Sequence, residues 1–220
     1  MLEAIHNLII KGHEVVADDW TVLRLEEGEA PETVAIREGK VIVPLAVWLA
    51  QRDALSARAQ VGVWIAPGEQ PELLKGDLDK FAVIAIDFPK FTDGRGYSHA
   101  YNLRMRLGYK GELRAIGDVL RDQLFQMHRV GFDAFATRQD RNIDDALKGL
   151  TDFSEVYQAS VDIKAPLFRR AQRDVRIEQH AAGYGIAALH REAGAPDALR
   201  QAGSEERRVG KECTAERRSR

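Results

Sequence analysis

Cysteine is nearly absent from this chain, whose 220 residues include only Cys213. A single cysteine cannot form a disulfide within the chain, and disulfides are typical of secreted proteins. The chain also lacks an apolar run of the roughly 18 residues that cross a bilayer, and its N-terminal stretch lacks the features of a secretory signal. Neither charge sign dominates, because the formal net charge is −2. The sequence therefore predicts a soluble, cytoplasmic protein that binds no membrane and no nucleic acid.

The chain divides into three parts by composition. Residues 1–170 are predicted to form a single α/β domain, since 45% hydrophobic and 30% charged residues are typical of a globular protein. Residues 171–203 contain helical stretches interrupted by glycine and proline, and they are either a genuine helical appendage or sequence foreign to the protein. Residues 204–213 read SEERRVGKEC, which resembles a translated sequencing adapter. We therefore expect residues 204–220 to be a disordered tail that is not native.

Apolar runs alternate with helical patterns in the first 170 residues. Residues 15–25 and 33–43 are rich in β-branched side chains, which indicates strands near the N-terminus. Five apolar runs follow, opening at Val41, Val61, Phe81, Leu113 and Phe132. Uniformly apolar strands separated by helices favour a parallel sheet. The predicted fold is α/β, with a mostly parallel open sheet of about five strands, flanking helices and a β-rich N-terminal segment. A barrel-like fragment is the alternative, since five strands are too few for a complete (β/α)₈ barrel.

Helices are predicted between and after these strands. Their predicted ranges are residues 47–58, 72–78, 98–107, 119–130 and 143–150. Residues 158–170 are interpreted as an extended arm that closes the domain.

The loop after the third apolar run carries most of the polar candidates. Asp87 lies near the end of that strand, and Asp93 and Arg95 follow in a glycine-rich stretch. Ser98 is a candidate cap for the next helix, and His99 is a candidate proton donor, as is Tyr101 nearby. A lone histidine early in a helix more often has a structural role. Ligands of open α/β sheets bind at the carboxyl ends of the strands, so this loop is predicted to cradle an anion.

Two further loops add charged residues at the same predicted edge. Asp118 follows the fourth run and is a candidate helix cap, with Arg121 in the first helical turn. Arg138 follows the fifth run. Three arginines, Arg95, Arg121 and Arg138, would then surround one site with Asp87, Asp93 and Asp118. Such a site predicts an anionic ligand such as sulfate, sulfite, phosphate or a nucleotide.

Several familiar motifs are missing from the sequence. Gly94-Arg95-Gly96 is not completed to G-x-G-x-x-G, and the sequence has no phosphate-loop, nucleophile-elbow or C-x-x-C motif. No metal site is predicted, and the sequence identifies no cofactor. The catalytic residues, if there are any, stay unassigned.

A long central block carries a family resemblance. The stretch FTDGRGYSHAYNLRMRLGYKGELRAIGDVLRDQLFQMHRVGFDAFATR, together with GHEVVADDWTVL and SVDIKAPLFRR, resembles the bacterial family called domain of unknown function 934. The genes of family members lie beside genes for sulfite reductase and for adenylylsulfate or phosphoadenylylsulfate reductase. Family members are often labelled oxidoreductases for that reason.

The resemblance implies an accessory protein of assimilatory sulfate or sulfite reduction that binds a sulfur oxyanion or a partner reductase. The alternative is an oxidoreductase with a diffusible nicotinamide or flavin cofactor. The oligomeric state stays open.

Overall fold

Eight strands form one mixed sheet in the computed structural model, which describes residues 7–170. The strands are β1 (Leu8–Lys11), β2 (Glu14–Ala17), β3 (Thr21–Val22), β4 (Val41–Pro44), β5 (Val61–Ile65), β6 (Val83–Phe88), β7 (Glu112–Gly117) and β8 (Ala134–Phe135). Their order across the sheet is β2-β1-β8-β7-β6-β5-β4-β3. Strands β3 to β8 are parallel and adjacent in chain order, whereas β1 is antiparallel to both β2 and β8. The predicted α/β class is confirmed. The prediction of about five mostly parallel strands was wrong, because the sheet of the described residues has eight strands and is mixed.

The sheet is curled, and the lengths of its connections require this. Strands β2 and β3 lie at opposite edges, yet only Asp18, Asp19 and Trp20 separate them in the chain. Those residues can bridge at most about 14 Å when fully extended. Seven strand spacings in a flat sheet would cover about 34 Å. The two edges therefore curl toward each other, and the preferred prediction of an open sheet was wrong.

The outer face of the curled sheet is covered by helices. The α-helices are α1 (Leu45–Ala50), α2 (Arg52–Ser56), α3 (Arg95–Tyr101), α4 (Arg121–Arg129), α5 (Ile143–Lys148) and α6 (Leu167–Arg170). Short 3₁₀ turns occupy Pro71–Leu74, Leu78–Lys80 and Gly149–Thr151, and a π-helical turn, Asn102–Arg106, continues α3. Strand residues such as Val63, Ile84 and Ala115 form one buried core with helix residues such as Trp48 and Leu124. Four of the five predicted helices contain α-helix with shifted ends, and residues 47–58 are divided between α1 and α2. The helix predicted over residues 72–78 is wrong, because a 3₁₀ turn, Pro71–Leu74, stands there.

The inner face of the sheet, which we define by Ile42, Val83, Ala85 and Ile116, forms a second and smaller core. The partly buried side chains that pack against it are Trp20, Val22, Trp64 and Ala136, which come from strands and connections. Consecutive parallel strands joined by right-handed crossovers put their helices on the same side. The inner face therefore faces the interior of the curl, where side chains from several strands meet.

Two predictions from the sequence fall outside the described residues. The appendage at residues 171–203 and the foreign tail at residues 204–220 both follow the last described residue, Arg170. Within residues 7–170, no helix is both long enough and apolar enough to cross a membrane.

Candidate functional site

A cleft of about 920 Å³ opens on the inner face at the carboxyl ends of β7 and β8. Its lining combines apolar, polar and cationic side chains with one aspartate. The lining residues are Asn7, Leu8, Ile9, Asp18, Trp20, Thr21, Val22, Arg24, Ile116, Gly117, Ala136, Thr137, Arg138, Gln139, Arg141 and Ile143. We call this the carboxyl-end cleft. It lies where ligands bind in parallel α/β sheets, beyond the carboxyl ends of the strands.

Arg24 is held at the cleft by an acid and an aromatic ring. Its Nη2 atom donates to Oδ1 of Asp87 at 2.7 Å, and Asp87 is 6% exposed at the end of β6. The guanidinium carbon lies 5.2 Å from the centroid of the Trp64 ring, within the range of a cation–π contact. Trp64 is itself fixed, because its Nε1 donates to the Leu23 carbonyl at 2.8 Å.

Part of the hydrogen-bonding capacity of Arg24 is unused. Within residues 7–170, its Nε and Nη1 atoms donate to no protein acceptor, and its side chain is 52% exposed. A guanidinium presents five donors in a planar fork. Arg24 can therefore keep its contact with Asp87 and still donate to an anion in the carboxyl-end cleft.

Arg138 and Arg141 line the cleft on the side of β8. Arg138 donates to Asp140 through Nε at 2.9 Å and through Nη2 at 2.8 Å, and its Nη1 lies 3.1 Å from Oδ1 of Asp118. The hydrogen bonds that Arg138 donates to Asp140 and Asp118 raise the pKa of Arg138. The hydrogen bond from Arg138 in turn lowers the pKa of Asp140. Arg141 is held less tightly: its Nε is 3.8 Å from Asp140 and its side chain is 65% exposed.

The charged lining of the cleft is cationic. Its three arginines are opposed by Asp18, and both carboxylate oxygens of Asp18 accept from Nη1 of Arg114 at 2.9 Å. Arg114 is 1% exposed and also donates from Nε to Glu112 at 2.8 Å. The negative charge of Asp18 is thus already compensated from inside the protein. Arg138 is likewise paired with Asp118 and Asp140, so within residues 7–170 it is Arg24 and Arg141 that keep donors open to a ligand in the cleft.

Asp93 and Arg95 form a pair of their own and do not line the carboxyl-end cleft. Arg95 donates through Nε to Oδ1 of Asp93 at 3.0 Å and through Nη2 to Oδ2 at 2.6 Å. This side-chain pairing is the main cause that lowers the pKa of Asp93 to about 2, and it raises the pKa of Arg95. The glycine-rich loop therefore presents a satisfied ion pair to solvent.

Arg121 is likewise paired away from the cleft. It is the first residue of α4, and it donates to Asp152 at 3.1 Å and to Asp145 at 3.2 Å. These two acids raise the pKa of Arg121, with the hydrogen bond to Asp152 the largest cause. Its unfavourable charge at a helix start is thereby explained by structural pairing.

Neither predicted helix cap is observed. Ser98 is exposed and lies inside α3, whose N-cap is Gly94, because the helix begins earlier than the sequence pattern indicated. Asp118 does not cap α4, whose N-cap is Leu120. Its Oδ2 instead accepts from the Phe91 backbone N–H at 2.8 Å, so Asp118 ties the loop after β6 to Arg138. His99 places its Nε2 3.1 Å from the Pro67 carbonyl oxygen, a structural contact.

The structure thus brings together only part of the predicted set. Arg138 lines the cleft, Asp118 contacts Arg138, and Asp87 contacts Arg24. In the described part of the chain no hydrogen bond or ion pair joins Arg95 or Arg121 to these groups. Anion binding itself stays a prediction for every member of the set.

Two cleft arginines, Arg24 and Arg141, were missed by the sequence reasoning. Arg24 lies in a segment that was assigned to a strand, and it reaches the cleft only because β3 curls toward β8. Arg141 follows the predicted Arg138 by three residues. Its position in the loop after the last parallel strand was the signal that could have found it.

Gly117 is the last residue of β7 and lines the carboxyl-end cleft. Its φ of +96° lies in the region that favours glycine. A Cβ at this position would lie 2.5 Å from the Phe88 carbonyl oxygen and 2.9 Å from Oδ1 of Asp87. The close approach of the β6 and β7 ends therefore requires glycine here, and it holds Asp87 in place for Arg24.

Within residues 7–170, no group of three or more histidine, cysteine, aspartate or glutamate side chains could hold a metal ion.

Comparisons with known proteins bear on the central and C-terminal parts of the described chain. No curated protein and no solved structure matched the sequence. A family model described as "Bacterial protein of unknown function (DUF934)" matches residues 62–168, which include most of β5, all of β6 to β8 and two of the cleft arginines. Through residues 62–168 the chain belongs to the bacterial domain of unknown function 934 family.

Proposed function

We propose that this is a cytoplasmic accessory protein of assimilatory sulfate or sulfite reduction, which holds a sulfur oxyanion in the carboxyl-end cleft for a partner reductase. The observation that carries the proposal is the cationic lining, in which Arg24 and Arg141 keep donors free of protein acceptors within residues 7–170. The pathway is suggested by the genes that neighbour family members. Sulfite reductase and adenylylsulfate or phosphoadenylylsulfate reductase are the proposed partners.

The physical basis of binding is a set of charge-assisted hydrogen bonds. Arginine forks match the spacing of oxygens on sulfate-like anions, and such bonds are stronger than neutral ones. Asp87 and Trp64 hold the Arg24 guanidinium from two sides, so less of its side-chain freedom is lost when an anion binds. Screening by salt weakens contacts of exposed charges, so affinity should fall as ionic strength rises.

Calorimetric titration with sulfite and with sulfate tests the binding. We expect Arg141→Ala to weaken binding by about tenfold, the loss of one charge-assisted contact. Arg24→Lys keeps a positive charge beside the buried Asp87 but loses the planar fork, so it should weaken binding as well. The matched control is Arg121→Ala, because Arg121 is 44% exposed and lies outside the cleft. Absence of binding, or equal losses in all three variants, would contradict the site.

A deletion strain tests the pathway. Growth should fail or slow on sulfate or sulfite and recover on cysteine. The wild-type gene should restore growth, and Arg141→Ala should restore it incompletely. Capture of the tagged protein from cells grown on sulfate should recover one of the proposed reductases. Normal growth of the deletion strain on all three sulfur sources would exclude the role.

An oxidoreductase with a diffusible nicotinamide or flavin is the second candidate, and the size of the cleft favours it. Small-molecule and cofactor sites have volumes of about 300–1,000 Å³, and the carboxyl-end cleft has about 920 Å³. Titration of the purified protein with NADH, NADPH and FMN tests it directly. A colourless protein that binds none of the three would count against this candidate.

A further inference from the structure

We infer that the carboxyl-end cleft takes an oxyanion carried on an organic body, such as a sulfate ester, a sulfonate or a phosphate ester, in preference to free inorganic sulfite or sulfate. This inference rests on the proposed function, because it specifies the ligand of the same site. Two observations support it: the size of the cleft, and the apolar part of the lining that a small anion bound to the arginines would not cover.

The cleft is much larger than an inorganic oxyanion. Each water has a share of about 30 Å³ in the liquid, so a four- or five-atom oxyanion displaces two or three waters, about 60–90 Å³. The cleft has about 920 Å³. Sulfite or sulfate held at one arginine would leave most of this space filled with water.

Beside its charged and polar groups, the lining offers apolar surface. The apolar side chains of the lining include Leu8, Ile9, Trp20, Val22, Ile116 and Ile143. Leu8 is 46% exposed, while Trp20, Val22 and Ile143 are partly buried. Apolar surface gains from being removed from water, and a small anion cannot cover it. A hydrocarbon or aromatic body attached to the anion would cover it.

The arrangement of charge and apolar surface fits such a ligand. Arg24 follows β3 on one side of the cleft, and Arg138 and Arg141 follow β8 on another. The apolar side chains come from β1, β3 and β7, from the β2–β3 connection and from the start of α5. Sites for organic ligands combine apolar walls with placed polar groups, and both are present in this cleft. The arginines would orient the anionic group, and the apolar walls would bind the body.

A matched pair of probes tests the inference. Inorganic sulfate and phenyl sulfate both carry a sulfur oxyanion, but the ester has an aromatic ring and one negative charge fewer, so tighter binding of the ester cannot come from charge. In calorimetric titrations at one ionic strength, phenyl sulfate should bind at least about tenfold more tightly, because the ring buries apolar surface. Inorganic phosphate and adenosine monophosphate form a second pair, which shows whether a phosphate ester also serves.

Two leucines with nearly the same exposure provide the matched variants. Leu8 lines the cleft and is 46% exposed, whereas Leu49 lies on α1 and is 45% exposed. Leu8→Ala should weaken the binding of phenyl sulfate severalfold more than that of inorganic sulfate. Leu49→Ala should change neither affinity. Both leucines are surface residues, so we expect both variants to fold.

The outcomes separate this inference from the proposed function. Equal affinity for phenyl sulfate and inorganic sulfate would overturn the inference and leave the oxyanion site standing. Phenyl sulfate could also bind more tightly and yet be weakened equally by Leu8→Ala and Leu49→Ala. That result would place the ring outside the cleft and overturn the inference as well. If neither member of either pair binds, both the inference and the proposed oxyanion site fail. The growth of the deletion strain tests the pathway independently of all these results.

Discussion

At the scale of single residues, side-chain pairing decides which arginines remain available to a ligand. Arg95 and Arg121 are each bound by carboxylates outside the cleft, whereas Arg24 shares one donor with Asp87 and retains others. Sequence reasoning identified positively charged side chains after strands, and Arg138 shows that this signal is useful. It could not identify the acids that neutralise them, since Asp145 and Asp152 lie more than twenty residues from Arg121 in the chain.

The pairing of Asp93 with Arg95 gives a prediction about pH. The Asp93 carboxyl should titrate at about pH 2 in NMR spectra of the folded protein. A pKa below the unfolded value means that the pair contributes stability above the unfolded pKa of about 3.9, and that this contribution is lost as pH falls toward 2. In Arg95→Gln the midpoint should rise toward the unfolded value. The Arg121→Gln variant should leave it unchanged, and a rise in both variants would contradict the local cause.

Gly117 gives a prediction about stability. Gly117→Ala should lower the free energy of unfolding by about 1–3 kcal/mol, because alanine is strained at positive φ and its Cβ would meet the Phe88 carbonyl. The control is Gly76→Ala, since a Cβ at Gly76 meets nothing within 4 Å. Urea denaturation measures both variants. A similar small change in the two would show that the ends of β6 and β7 can separate without cost.

At the scale of elements, the most apolar strands were the easiest to predict. The five runs that open at Val41, Val61, Phe81, Leu113 and Phe132 all contain observed strands, because strands covered on both faces are apolar throughout. The β1–β2 hairpin was not located, although the N-terminal segment was expected to be rich in strands. Strand β1 has only four residues and pairs with β8 far along the chain, which no local pattern reveals.

The helix after β6 also departs from the sequence pattern. Asn102–Arg106 form a π-helical turn, and the Leu107 N–H donates to the Asn102 carbonyl at 2.9 Å. Arg104 in this turn donates to the carbonyls of Tyr109, Gly111 and Gly131 and to the Asp133 carboxylate. Wide turns of this kind arise where side-chain contacts favour them over regular helix geometry. Helical periodicity alone could not predict this irregularity.

Strand β7 carries the buried charge that secures the β2–β3 connection. Arg114 pairs with Asp18 of that connection and with Glu112, and the three side chains are 2%, 9% and 10% exposed. Arg114→Ala would leave the nearly buried Asp18 without its cationic partner and Glu112 with Lys11 alone, so we expect a loss of about 3–5 kcal/mol in the free energy of unfolding. The exposed Arg106 has no ion pair among the described residues, and Arg106→Ala should change stability by less than about 0.5 kcal/mol. Equal losses in the two variants would contradict the role of the pair.

At the scale of the whole molecule, the curl of the sheet creates the candidate site. Arg24 and Arg138 lie at opposite ends of the parallel series β3 to β8, and an open sheet would keep them far apart. The three-residue connection between β2 and β3 brings the two edges together, and the carboxyl-end cleft lies in the resulting interior. The sequence predicted the strands β4 to β8 of this series but not the parallel pairing of β3 with β4. The closure of the sheet could not be predicted, because it depends on how the strands pair and on the position of β2 at one edge. Apolar periodicity reveals neither.

The domain boundary gives the last prediction. Among the described residues, the buried hydrophobic core runs from Ile9 to Leu150, and the sequence predicts one domain that ends near residue 170. A protein cut after Arg170 should therefore remain folded, with the circular dichroism of a mixed helix and strand protein and a cooperative urea transition. Its urea midpoint should be unchanged, and so should the slope of the transition, since the slope follows the surface exposed on unfolding. A steeper transition in the full chain, with a higher midpoint, would show that residues 171–220 fold together with the domain.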